Sequence, residues 1–119
     1  PHLSIIGLGD NEYSTNLPPV TFQSQLTTIV AKALLTGSVL LWLEPLRTDV
    51  VGTYPWSDYV TAIKAVAVAN NIPWLDINDL WGGGITAQGG IYDSGDHVHP
   101  NTEGHYTIAR AICDVILDA

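Results

Sequence analysis

Asp96 and His99 stand three residues apart in "GDHVHPNTEGH", Gly95 to His105, within a chain otherwise poor in charge. On a tight turn, that spacing lets the carboxylate reach the imidazole Nδ1–H. The contact would fix the tautomer and leave Nε2 free to take a proton from a hydroxyl. Far upstream, "IIGLGDNEYS" places Asn11 just past an apolar run, where its side-chain amide could donate to a developing oxyanion. Other readings compete for the same residues. His97, His99 and His105, with Asp93 or Asp96, could share a metal, but their spacing matches no standard zinc pattern. Asp96 and Asn101 could serve only to organise a helix start, with His97 and His105 on the surface. "GDNEY" could be only a turn, since Asn and Asp favour turns. Glu44 reads as solvated or paired with Arg47, and His2 is terminal and carries no signal.

The elements that must position these residues alternate strand and helix. "LSIIGL" (Leu3 to Leu8) is nearly unbroken apolar and reads as a buried parallel strand. "NEYSTNLPP" reads as a loop whose prolines prepare a helix start. From Thr21, the residues Phe22, Leu26, Ile29, Val30 and Ala33 recur at helical spacing, with Gly37 as a stop. "SVLLWLEP" reads as a second buried strand and "RTDVVGTYPW" as a loop. Ser57 or Asp58 is expected to cap a helix that buries Val60, Ile63, Val66 and Ala67 and ends at Asn70-Asn71. "IPWLDI" is a short third strand, followed by a long glycine-rich loop, "NDLWGGGITAQGGIYDSGD". Asn101 or Thr102 then caps a last helix with Ile108, Ala109, Ile112, Val115 and Ile116 inward. This order predicts an α/β fold, three layers α/β/α, with a parallel sheet and the site at the carboxyl ends of its strands. Both "GDNE" and "DHVH" fall at that end. A wholly apolar first strand also wants neighbours on both sides, so it reads as belonging to a larger sheet.

Bulk properties narrow the partners. The chain has 119 residues, 46% hydrophobic and 13% charged, which suits one folded domain with a modest core. Its net charge is −8, and Lys32, Arg47, Lys64 and Arg110 are its only cations besides histidine. No basic patch can be built from four scattered cations, which argues against nucleic acid or an anionic membrane as partner. No apolar run is long enough to span a bilayer, and no signal peptide is visible. Cys113 falls in a helical apolar pattern and reads as an inert core thiol. The chain lacks methionine and opens with Pro1, so it is expected to derive from a longer product by processing or excision, or to be incompletely assigned.

Taken together, "PHLSIIGLGDNEYS", "VLLWLEP", "IPWLDINDLWGGG" and "DHVHPNTEGHYTIARAI" resemble the SGNH (GDSL-type) hydrolase family along all of residues 1–119, though only the later part of that family's domain. The resemblance implies a flavodoxin-like sheet in which this chain supplies the last three strands. Gly9-Asp10-Asn11-Glu12 would be the family's Gly-x-Asn-Asp block, with Glu12 in place of the usual Asp and Asn11 as oxyanion donor. Asp96 to His99 would be its Asp-x-x-His dyad. The family's serine-bearing Gly-Asp-Ser block is not found, nor is the glycine block that adds a second oxyanion donor. Aligning "IIGLGDNEYS" with the serine block instead fits the following helix and "VLLWLEP" poorly. None of Ser4, Ser14, Ser24, Ser38, Ser57 and Ser94 has a nucleophile context.

The implied chemistry is ester hydrolysis, including removal of acetyl groups from glycans, with the serine supplied by a missing amino-terminal part or a companion chain. No metal or organic cofactor is implied. Trp81 and Tyr92, flanking "WGGGITAQGG", are candidates for a substrate-facing flap. The rival expectation is a non-catalytic structural or carbohydrate-binding module derived from the same fold. Compartment is left open, an extracellular setting or a larger assembly being compatible.

Overall fold

A strand buried on both faces must be apolar throughout, and Ser38–Leu43 shows this most clearly. Val39, Leu40, Leu41 and Leu43 are each at most 2% exposed. This strand is the centre of a three-stranded parallel sheet in a computed structural model that describes residues 2–118; Pro1 and Ala119 lie outside the described residues. In chain order the elements are β1 (Leu3–Leu8), α1 (Asp10–Ser14), α2 (Pro19–Leu34), β2 (Ser38–Leu43), α3 (Trp56–Asn70), β3 (Trp74–Asp76), α4 (Ile77–Trp81), α5 (Ala87–Gly90) and α6 (Thr102–Asp118). The sheet order is β1-β2-β3, with Leu3 opposite Ser38, Leu8 opposite Leu43, and Leu43 opposite Asp76.

Side chains alternate across β2, so one strand feeds two cores. Val39, Leu41 and Leu43 pack with Phe22, Leu26 and Val30 of α2 and with Tyr59, Ile63 and Val66 of α3. The buried Tyr59 hydroxyl donates to the Leu17 carbonyl at 2.7 Å, satisfying the polar end of an otherwise apolar ring. On the opposite face, Trp42 and Leu75 pack against Ile77, Trp81, Ile85, Ile108 and Ala111. Helices therefore cover both faces of a parallel sheet, and the three-layer α/β/α architecture holds.

Several local expectations shift. Asp10–Ser14 forms a helical turn where a plain loop was expected, with the Glu12 carboxylate accepting from the Gly9 N–H at 2.8 Å. Helix α2 starts at Pro19 rather than Thr21, because proline's fixed φ suits a first helical position. Within it, Ile29 is 43% exposed. Helix α3 follows Pro55, so neither Ser57 nor Asp58 caps it; it ends where Asn71 turns left-handed at φ 52°. The third strand shortens to Trp74–Asp76, and the long glycine-rich segment contains α4 and α5.

In α6, Gly104, Ile108 and Ala111 are buried, but Ala109, Cys113 and Ile116 are exposed. Helical residues advance by about 100°, and a stripe over a narrow sheet covers only the i, i+4, i+7 set. Cys113 lies off that stripe, so it is a surface thiol, not a core one. No helix among the described residues is long and apolar enough to cross a membrane.

Candidate active site

The Asp96 carboxylate organises the end of the turn that carries His99. Asp96 Oδ1 accepts from the backbone N–H of His99 at 2.7 Å and of Val98 at 2.8 Å, and from Ser94 Oγ at 3.2 Å. Its Oδ2 pairs with His99 Nδ1 at 2.5 Å. These donors, the His99 N–H first, hold Asp96 well below the usual carboxylate range. The same pairing raises His99 above 6.5, with Asp10 adding to the rise and Arg47 opposing it. His99 Nε2 is thus the free nitrogen of an imidazole whose other nitrogen is held by an anion.

Beyond it, the chain is anchored rather than loose. Asn101 Oδ1 accepts from the Gly104 N–H at 2.9 Å and caps α6, while its Nδ2 donates to Ile91 O at 2.8 Å. Gly104 is required by a close approach: a Cβ there would lie 2.9 Å from the Tyr92 carbonyl and 2.8 Å from Pro100 Cβ.

From the carboxyl end of β1, Asn11 reaches the groove that His99 lines. Gly9, at φ 126°, makes the turn out of β1, and a Cβ there would meet Leu43 Cδ1 at 2.6 Å. Asn11 then follows on α1, its side chain exposed and, among the described residues, without a hydrogen-bond partner. Both Asn11 and His99 line one groove of about 590 Å³, with Asp10, Trp42, Glu44, Arg47, His105 and Ile108 among its other walls. Among the described residues no serine, threonine or cysteine lines it.

The groove also contains residues that sequence reasoning undervalued. Glu44 is partly buried, and burial raises it; its Oε2 accepts from the Asp10 N–H at 3.3 Å. Arg47 does not pair with Glu44. Its guanidinium makes a bidentate contact to Asp49, both distances 2.6 Å, and stands 3.9 Å from Asp10. Burial raises Asp10, with Arg47 pulling the other way. Asn78, buried at 8% exposure, fastens the loop behind this wall. It accepts from Leu46 N at 2.6 Å and donates to Glu44 O at 2.9 Å. The one available signal was Asp76 two residues earlier, a capping carboxylate that accepts from Asn78 N.

Trp81 and Tyr92 do not border this groove. Trp81 is 1% exposed, stacks on Tyr92 with centroids 4.6 Å apart, and donates through Nε1 to Thr107 Oγ1 at 2.8 Å. Its place is in the α6-side core, not on a flap. His97 and His99 face separate aspartates, Asp93 and Asp96. Among the described residues, no three His, Cys, Asp or Glu side chains come together as metal ligands would.

No protein-family model matches the chain, and no curated protein matches it. Among solved structures, the crystal structure of a protein from Lactobacillus plantarum superposes with a TM-score of 0.79 at 24% sequence identity. The match covers 98% of this chain and 66% of that one, so the chain spans just under two thirds of the length of the protein it resembles. At that identity the likeness concerns the fold.

Proposed function

We propose that this chain is the base-bearing portion of an SGNH-type ester hydrolase, acting on small esters or acetylated glycans once a serine-bearing segment completes it. The observation that carries the reading is that His99, paired through Nδ1 with Asp96, and Asn11 line one groove at the carboxyl ends of a parallel sheet. In the reaction, the serine oxygen attacks the acyl carbonyl as its proton passes to His99 Nε2. Asn11 donates to the oxyanion of the tetrahedral intermediate. His99 then returns the proton to the departing alcohol, and water attacks the acyl-enzyme by the same route reversed. Asp96 keeps the imidazole oriented and stabilises its charged form. The reaction so written uses no metal or organic cofactor.

Two features support a missing neighbour. The outer edge of β1 has no strand beside it among the described residues, and Leu3 and Ile5 on that strand are 38% and 47% exposed. Apolar residues on an unpaired edge invite further pairing, from an amino-terminal part of the same domain or from a companion chain. The alternative, a non-catalytic structural or carbohydrate-binding module, is favoured by one observation: among the described residues no serine, threonine or cysteine lines the groove.

Fluorophosphonate labelling of the native protein, followed by intact-mass measurement, separates the two. An adduct on a serine of a longer or partner chain, lost in His99→Ala, supports the hydrolase. No adduct on folded, full-mass protein sinks it and leaves the binding module.

A further inference from the structure

His99 presents a positioning problem. Its side chain is 74% exposed, so packing does not hold the ring; the backbone of its turn must. That backbone runs through His97, whose φ of 63° is left-handed, a conformation that costs non-glycine residues free energy and persists only when the surroundings impose it. The imposing group is Asp93. Its side chain is only 6% exposed, and its Oδ1 accepts from the N–H groups of Gly95 at 2.9 Å and His97 at 3.0 Å. Its Oδ2 pairs with His97 Nδ1 at 2.5 Å. These donors, that of Gly95 first, hold Asp93 below its ordinary value.

We propose that Asp93 and His97 form a positioning pair that locks the left-handed turn and thereby holds His99 against Asp96. Two Asp–His pairs are interleaved in seven residues, "DSGDHVH": the rear pair, Asp93–His97, fixes the backbone, and in the front pair, Asp96–His99, the imidazole lines the groove. His97 does not line the groove and is no catalytic residue. Its carbonyl accepts from Thr48 N at 2.9 Å, tying the turn to the loop that carries Arg47 and Asp49. Asp93 also pairs with Pro100 across an antiparallel bridge, and Ser94 N donates to His99 O at 3.0 Å. His99 is thus framed on both sides by residues that Asp93 holds. The groups bearing on its titration are Asp96, Asp10 and Arg47.

The proposal rests on His99 serving as the base, but its test reads the imidazole, not hydrolysis. An inactive protein would defeat the functional reading and leave this one to its own result. In the full chain, the His99 titration midpoint and exchange of its Nδ1–H are followed by NMR in Asp93→Asn, His97→Asn, the double variant and His97→Gly. Each single variant should move the midpoint down and speed N–H exchange about tenfold, as loss of roughly one charge-assisted hydrogen bond would. The double variant should go no further than either single one, because the two residues act as a unit. His97→Gly is decisive, since it accommodates the left-handed backbone without supplying the imidazole. If it behaves like His97→Asn, the pair is the brace. If it keeps the native midpoint, backbone conformation alone suffices and the proposal fails. Ile63→Val, on the α2–α3 side, controls for general destabilisation and should leave the midpoint unmoved; a shift there equal to that in Asp93→Asn would also overturn the proposal.

Discussion

The two faces of the sheet are finished to different degrees. On one, α2 and α3 lie over all three strands, and Phe22, Leu26, Val30, Tyr59, Ile63 and Val66 are at most 2% exposed. On the other, α4 and α6 bury Trp81, Ile85 and Ile108 over β2 and β3, while Leu3 and Ile5 of β1 stay open, as does Ile116, itself 39% exposed. The groove lined by His99 and Asn11 opens where this half-covered side meets the carboxyl ends of the strands. The covered face concentrates the buried apolar area that stabilises the fold. The open side carries the polar groups of the proposed site, held by hydrogen-bonded turns instead of by packing.

If that division is right, substitutions on the two sides should separate activity from stability. The largest effect is expected at His99. In a serine-completed protein His99→Ala should cut turnover on the order of 10⁵–10⁶-fold, since triad members act as a unit, with an almost unchanged thermal midpoint. A large fall in that midpoint would break the comparison. Next, Ile63→Ala on the covered face should cost about 2–5 kcal/mol in urea unfolding. Ile5→Ser on the open strand, by contrast, should stay within about 0.5 kcal/mol in this chain. Equal costs would mean that β1 is already covered. Asn11→Ala should lower kcat roughly 10²–10³-fold with little change in KM, as loss of one oxyanion donor does. A change confined to KM would make Asn11 a substrate-binding residue only.

The smallest effect is in pH dependence. His99 is raised above 6.5, so the activity requiring its neutral form should fall off below a midpoint that lies above 6.5, and Asp96→Asn should move that midpoint down. Stability shows the matching signs. The His99 contribution is complete below 6.5 and is lost as pH rises through its folded value. That of Asp96, which is held low, is present above 3.8 and is lost as pH falls through its folded value. Both groups are solvent-exposed, so added salt should shrink both contributions. Urea midpoints across the pH range, at low and high salt, measure this.

Much of this was legible in residue order. The apolar runs at Leu3–Leu8 and Ser38–Leu43, and the helical spacing of Phe22, Leu26 and Val30, predict strands and helices because backbone geometry repeats every two or 3.6 residues. Asp96 and His99 were legible too, since an Asp at i and a His at i+3 meet within a single turn. The fates of Cys113, Glu44 and Trp81 were not. Each was assigned from its neighbours in sequence, but its surroundings are set by distant segments. Cys113 points away from a sheet too narrow to cover that side of α6, Glu44 receives the N–H of Asp10, and Trp81 finds Thr107 and Tyr92.

By itself, then, the sequence determined the alternation of strand and helix, the parallel sheet and the Asp96–His99 turn, all properties of short-range periodicity and local hydrogen bonding. Only the tertiary structure decided that Asn11 and His99 share a groove, and that among the described residues no serine, threonine or cysteine joins them and no strand pairs with the outer edge of β1. Those facts depend on which segments meet across the sheet, and such meetings are selected by the burial of the whole core.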